Sequence, residues 1–417
     1  MFQAPKGTRD ILPPESDRWQ ALVATFAEVF GQAGYGLVQN PMFEDIGVFQ
    51  RLGEGTEVVR KEMYDFLDKG DRHLALRPEG TASVVRAFNQ HRPTVPWKVW
   101  YLTPCFRYEE PQAGRFRQHH QVGAEAIGSA DPDLDVEVIG LQHDFYRAIG
   151  LSRLSLRLNS MGSPGDRQAY AEQLAVWLDR RLGELDEADR ANAVNHPLRV
   201  LDSKRERTVA VVADAPLIID CLSDEAAAHF DRVQAGLDAL GVAYEIDPRL
   251  VRGLDYYTHS TWEFAAGSLT SAQNAVGGGG RYDGLAEALG GKPAPGVGFG
   301  AGIERILLAA DAEDALTETA RGVDVFVVDV AGGDTGRDLT FELRRNGMSA
   351  DRAFDARSMK AQMKVADRSE ARFALLVGPD EMAAGTVTLR DLRSGAGQIA
   401  VARADVVAEV AARLESE

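Results

Sequence analysis

Apolar side chains recur at helical spacing over residues 18–34, at Trp19, Leu22, Val23, Phe26, Val29 and Phe30, and predict an amphipathic helix. A second such pattern runs from Asp131 to Gly150, with a proline near its start and a glycine beyond its end. Period-two alternation marks one stretch between them. In Cys105–Glu125, CFRYEEPQAGRFRQHHQVGAE, two alternating runs flank a break at Pro111–Gly114 and predict an antiparallel hairpin. On its second strand Arg115, Arg117, His119, Gln121 and Glu125 are expected on one face, with Gly123 leaving a gap. Arg107 and Glu109 should share a face on the first. A short strand in YGLVQN is stopped by Pro41, and Asp68–Asp71 marks a further hairpin turn. Strands are also expected at LSLRLNS, Thr261–Phe264 and Val297–Gly300, the last running into a helix near Gly302. Residues 165–241 are rich in Ala, Leu and charge without a convincing strand and read as a helical insertion. From 321 to 417 strands and helices alternate, the pattern of a small α/β domain.

With 417 residues the chain is too long for one ordinary core, which sets the expectation of an α+β domain over 1–320 and a separate α/β domain over 321–417. No run reaches the length of a membrane span, and MFQAPKGTRD lacks the apolar core of a signal peptide, so a cytoplasmic location is expected. Cys105 and Cys221 form no C-x-x-C pair, which argues against a disulfide framework or structural zinc. The net charge of −17 means that nucleic acid would have to be met through local basic patches.

Several stretches carry candidate chemistry, each with an ordinary structural alternative. The hairpin face is either a solvated sheet surface or, given its guanidinium forks, amide, imidazole and carboxylate, a ligand site. Glu79, Gly80 and Thr81 of LRPEGT sit at a strand-to-helix junction, either a plain helix start or a place to meet a ligand's ammonium. Gly277–Gly280 read as a linker or as backbone packed close to a ligand. Arg305 opposes the dipole at the start of its helix and needs an anionic partner, either Glu304 or a bound phosphate. Arg357, Lys360, Lys364 and Arg368 are expected on one helix face, a solvated basic stripe or a phosphate contact.

Taken together, PKGTRDILP, NPMFED, LRPEGT, FRYEEPQAGRFRQHHQ, NHPLRVLDSK, LVRGLDYYT, GGGGRYDGL and GFGAGIERI resemble the histidyl-tRNA synthetases, class II aminoacyl-tRNA synthetases, over essentially the whole chain. The resemblance implies a class II catalytic domain over 1–320 and an anticodon-binding-type domain over 321–417. It implies activation of L-histidine by ATP through a histidyl-adenylate, release of AMP and diphosphate, and loading of tRNA(His) by a homodimer paired near Pro41. By the same analogy Arg107, Glu109, Arg115, His119 and Arg305 bind ATP, and Mg²⁺ comes with the nucleotide, with no protein-bound metal expected. Glu79, Gly80, Thr81, Gln121, Glu125, Arg252, Tyr256 and Tyr257 hold histidine, with Arg252 and Arg107 as the catalytic cations. Gln112, in the loop that approaches the acceptor end, joins Arg357, Lys360 and Lys364 in contacting tRNA. Two positions depart from the family pattern. His119 stands where a stacking Phe is usual, and Glu110 replaces a loop Arg. A catalytically inactive relative, the regulatory subunit of ATP phosphoribosyltransferase, is the alternative. It typically lacks the C-terminal domain and an intact LVRGLDYYT, and both are present here. A class II synthetase for another amino acid would share Arg107 and Arg305 but leave Arg252–Tyr257 and Glu125 unexplained.

Overall fold

The computed structural model describes residues 2–51, 62–251, 256–269, 274–317, 322–332, 334–355, 357–395 and 397–415. The chain divides into two compact units, residues 1–317 and 318–417. In the first, the described strands are β1 (Gly36–Leu37), β2 (Phe43–Asp45), β3 (Tyr64–Leu67), β4 (His73–Leu76), β5 (Trp97–Phe106), β6 (Gln118–Ile127), β7 (Leu154–Ser160), β8 (Glu245–Ile246), β9 (Thr258–Ala266), β10 (Ala275–Arg281) and β11 (Gly296–Gly302). Eight of them form one sheet in the order β1-β5-β6-β11-β10-β9-β7-β8. Its interior is antiparallel, as expected, whereas both edge pairs, β1 with β5 and β7 with β8, are parallel. Parallel pairing needs a long crossover, and both edges have one: β2–β4 with the helices Ile46–Gln50 and Thr81–His91 in the first case, the helical segment in the second. A small antiparallel sheet, β2-β4-β3, stands apart from the large one.

Alternation along the strands gives the large sheet two unlike faces. Val122, Ala124 and Ala126 of β6, Val297, Phe299 and Ala301 of β11, and Trp262 and Phe264 of β9 join one apolar core with the helices Glu15–Gln32, Pro132–Ala148, Asp224–Ala239 and Ile303–Ala312. Leu22, Phe26 and Phe30, four residues apart, are fully buried in it, and each such burial contributes about 1.5–3 kcal/mol. Phe26 stacks on Phe30 at 4.4 Å and meets Phe145 edge-on at 4.9 Å. The opposite face carries Gly123, Glu125, Gly298 and Gly300 under the helix Thr81–His91, whose Ala82 and Val85 pack with Val99, Tyr101 and Tyr282.

The helical stretch after Ser160 divides in two. Tyr170, Leu174, Leu178, Val200 and Val212 build a core of their own, while Phe230, Val233 and Leu237 of the helix Asp224–Ala239 belong to the main core. The first helix, Pro164–Asp179, opens on a capping box in which Ser163 and Asp166 exchange hydrogen bonds, fixing where the insertion starts.

In the second unit β12 (Val325–Asp329), β13 (Ala350–Arg352), β14 (Phe373–Val377), β15 (Thr386–Asp391) and β16 (Gln398–Ala402) form a sheet in the order β13-β12-β14-β15-β16. Its first three strands are parallel and the rest antiparallel, with apolar cores on both faces. No helix of the described residues is long and apolar enough to cross a membrane.

Candidate active site

The glycine run explains the shape of the site. Strand register lines up Tyr101, Gly123, Gly300, Gly278 and Glu263 in one row across the sheet, and Val99, Glu125, Gly298, Gly280 and Thr261 in the next. The run Gly277–Gly280 is thus a central strand, not a linker. Gly278 and Gly280 face the site, while Gly277 and Gly279 face the core, where a Cβ on Gly277 would lie 2.3 Å from the Tyr146 hydroxyl. On the site face a Cβ at Gly298 would lie 1.7 Å from Glu125 Oε2, and one at Gly280 would lie 2.6 Å from the Tyr257 ring. Glycine here makes a trough one side chain deep, filled by Glu125 and Tyr257.

Glu125 is fully buried. The Thr81 hydroxyl donates to Oε1 at 2.6 Å, Tyr101 Oη lies 3.4 Å from the same oxygen, and Tyr282 Oη donates to Oε2. Burial pushes this carboxyl up to about 8, against the pull of the Thr81 and Tyr282 hydroxyls, with Glu79 adding to the rise. Glu79 is 4% exposed and accepts from the backbone N–H of Thr81 and of Ala82, each at 2.8 Å. It caps the helix Thr81–His91, with burial raising its pKa against those bonds. Gly80 lies against the Tyr101 ring, and Gln121 Oε1 is 3.5 Å from Cys105 Sγ. Tyr256 packs on Tyr257 with ring centroids 4.8 Å apart.

Beside this polar core, a cavity of about 260 Å³ is lined by Arg107, Glu109, Arg115, His119, Gln121 and Arg305, with Glu263 and Glu304. The hairpin exists, but its connection runs from 107 to 117, so Arg107, Glu109, Arg115 and Arg117 lie in the loop and not on the strands. Arg115 pairs with Glu109 at 2.8 Å and reaches the cavity. Arg117 does not join the expected face. Its guanidinium covers the Tyr108 ring at 3.9 Å, because loop geometry replaces strand alternation there. Arg107 Nε donates to the Pro78 carbonyl at 2.9 Å and Arg305 Nη1 to that of Ala275 at 2.9 Å. Glu304 is not the partner of Arg305. It accepts from the His120 backbone N–H at 3.0 Å and faces His120 Nδ1 at 2.9 Å. Burial, then Arg115, pulls the Arg305 pKa down, and Arg107 adds to the fall. His119 falls to about 3 by burial and by Arg107, leaving a neutral imidazole. Three guanidinium groups, Arg107, Arg115 and Arg305, thus line one cavity together with the carboxylates Glu109, Glu263 and Glu304, a set of forks suited to an anionic ligand.

Chain comparisons bear on what binds. A family model described as histidyl-tRNA synthetase matches residues 7–306, and one described as an anticodon binding domain matches 324–413. The chain belongs to the histidyl-tRNA synthetases. A histidine–tRNA ligase of Levilactobacillus brevis is 46% identical, covering 97% of this chain and 96% of its own. That of Mycolicibacterium vanbaalenii is 49% identical over 99% of this chain and 98% of its own. The apo histidyl-tRNA synthetase of S. aureus superposes with a TM-score of 0.83 at 34% identity, covering 98% of this chain and all of the other. These full-length likenesses to ligases do not favour the regulatory-subunit reading.

Arg252 and Asp255 lie outside the described residues. Gln112 is exposed in the 107–117 loop, exchanging backbone hydrogen bonds with Arg115. Lys360 and Lys364 are exposed on the helix Met359–Arg368, whereas Arg357 precedes that helix and reaches Asp355 at 3.5 Å. Nothing in the local sequence marks Tyr101 or Tyr282 as a partner of Glu125. Tyr282 follows Arg281 in a motif already marked, and Tyr101 stands on the alternating face of β5, but their convergence on Glu125 comes from strand order. Arg281 itself is buried and paired with Asp135, a structural role. Among the described residues no three His, Cys, Asp or Glu side chains gather as a metal-holding group.

Proposed function

We infer that this trough and the adjoining cavity are where the enzyme charges tRNA with histidine. Histidine is first activated by ATP to an enzyme-bound adenylate, then passed to the tRNA 3′ end. The observation that carries this reading is the junction of the two compartments: the buried Glu125 lies on the same strand as Gln121 and His119, which line the cavity of the three arginines. Glu125 and Tyr257 grip the imidazole, and Gly80 and Tyr256 complete the wall. Glu79, Thr81 and Gln121 meet the ammonium. Arg107 takes the α-phosphate and Arg305 the far phosphates, while Glu109, Arg115 and the neutral His119 surround the adenine. Mg²⁺ arrives on ATP as part of the substrate. The reaction asks little of an acid or base, since a carboxylate attacks a phosphoryl group with a good leaving group, so positioning and preorganised positive charge carry it. Arg252 is assigned to the opposite side of the α-phosphate.

Outside this pocket, Gln112 and the exposed Arg357, Lys360 and Lys364 are assigned to tRNA(His). A homodimer is supported by β1, a two-residue edge strand, and by Leu37, Met42 and Phe43 exposed around Pro41. A cytoplasmic location fits this work. Amino-acid-dependent pyrophosphate exchange, run across the twenty amino acids, tests the assignment. Exchange stimulated by histidine alone is expected, and stimulation by another amino acid at comparable concentration would overturn it. Arg252→Ala should lower the adenylation rate by roughly 10²-fold with histidine affinity changed far less. A proportional loss of affinity would make Arg252 a binding residue.

A further inference from the structure

A second cavity, of about 170 Å³, is lined by Arg77, Gly80, Tyr101 and Thr103 together with Gln39 and Asn40. Arg77 is 4% exposed. Its Nε donates to the Pro104 carbonyl at 2.8 Å, and its Nη1 to those of Asn40 at 3.0 Å and Pro41 at 3.1 Å. All three partners are neutral. Among the described residues no carboxylate pairs with this guanidinium, and the neighbouring Glu44 is already held by Arg86 at 2.6 Å. Desolvation lowers the Arg77 pKa, as expected for a buried cation lacking a counter-charge. A second observation is independent of the first. Thr103 is 3% exposed, lines the same cavity, and its buried hydroxyl has no hydrogen-bond partner among the described residues.

We propose that this cavity binds a small inorganic anion of the size of chloride or phosphate, with the Arg77 guanidinium as counter-charge and the Thr103 hydroxyl as donor. The volume is ample for a tetrahedral oxyanion. Such an anion braces the nucleotide side of the active site. The Arg77 carbonyl accepts the Phe106 N–H at 2.9 Å, and the next carbonyl, of Pro78, holds Arg107 Nε. Arg77 also ties the segment at Pro41 to the end of β5.

Thermal unfolding of the full chain at constant ionic strength, with chloride or phosphate replacing gluconate, is the test. Wild type should show a Tm that rises and saturates with chloride or phosphate, the signature of ligand bound to the folded state. Thr103→Val, close to isosteric, should move the half-saturating concentration up by roughly tenfold or more through loss of one charge-assisted hydrogen bond. Arg77→Gln should abolish the response, and if it fails to fold the Thr103→Val comparison decides alone. Equal Tm in gluconate and in the small anions, which is the result if the cavity holds only water, would overturn the proposal. So would an unchanged midpoint in Thr103→Val, which would place the anion among the arginines of the ATP cavity instead.

Discussion

The two compartments of the active site handle charge in opposite ways. Around Glu125 the charge is buried and held from several directions: one carboxylate meets the hydroxyls of Thr81, Tyr101 and Tyr282, on a floor of glycines. Around Arg305 the groups are half-buried, three of them cations, and two of those, Arg107 and Arg115, sit in a loop. The hydrogen bonds of the first compartment are made by the protein's own groups, so on the proposed function it selects by shape and hydrogen bonds. The second sets three guanidinium groups among carboxylates and, on the proposed function, is completed by the phosphates of ATP. On the proposed function, specificity for the amino acid belongs to the sheet, and turnover to the arginines brought over its end.

Substitutions can break this contrast. The largest effect is expected at Arg305: Arg305→Ala should slow adenylate formation by roughly 10²-fold in pre-steady-state assays. Arg305→Lys should restore only part of that, since an ammonium lacks the guanidinium fork. On the other side, Glu125→Ala should raise the histidine dissociation constant by roughly tenfold to a hundredfold, measured by equilibrium dialysis, through loss of a hydrogen bond to a charged or polar imidazole. The maximal adenylation rate should change less. Gly298→Ala drives a methyl against Glu125 and the Ala124 carbonyl. It should weaken histidine binding and cost about 1–3 kcal/mol of stability in denaturant titration, leaving ATP affinity near wild type. Equal losses for both substrates would erase the distinction between the compartments.

A milder test uses pH. Glu125 titrates near 8 in the fold against 4.5 for a free carboxyl, so between those values the folded chain retains a proton that the unfolded chain has released. Its contribution to stability is thus fully present below about 4.5 and declines as pH rises through 8. Wild type should lose stability relative to Glu125→Gln across that window, and parallel curves would show that Glu125 is ionised throughout. The smallest effect is expected on the second unit. Lys360→Glu with Lys364→Glu should weaken tRNA binding several-fold and flatten its dependence on salt by roughly two counterions, leaving histidine activation unchanged.

Much of this was legible before any coordinates. Helical spacing of Leu22, Phe26 and Phe30 marked a helix because one buried stripe needs that period. Alternation marked β6 and only the last two residues of β5, and punctuation by glycine and proline marked the strand-to-helix junctions. The pattern failed where backbone leaves regular structure. Arg115 and Arg117 were placed on a strand face because alternation was carried into a loop, where a cation–π contact decides the direction of Arg117. Glu304 was offered to Arg305 because it is adjacent, yet neighbours on a helix point about 100° apart, and Glu304 faces His120 instead.

Local sequence therefore determined the amphipathic helices and the strands with clear alternation, though not the glycine strand β10, since those properties depend on periodicities within a few residues and glycine carries none. The order of strands was decided only by the tertiary structure. That order places Gly298 and Gly280 beside Glu125, sets Tyr101 and Tyr282 on one carboxylate, and leaves Arg77 buried among carbonyls. Each of these joins residues far apart in the chain, and their energies arise from burial and desolvation, which exist only once the sheet has closed over them.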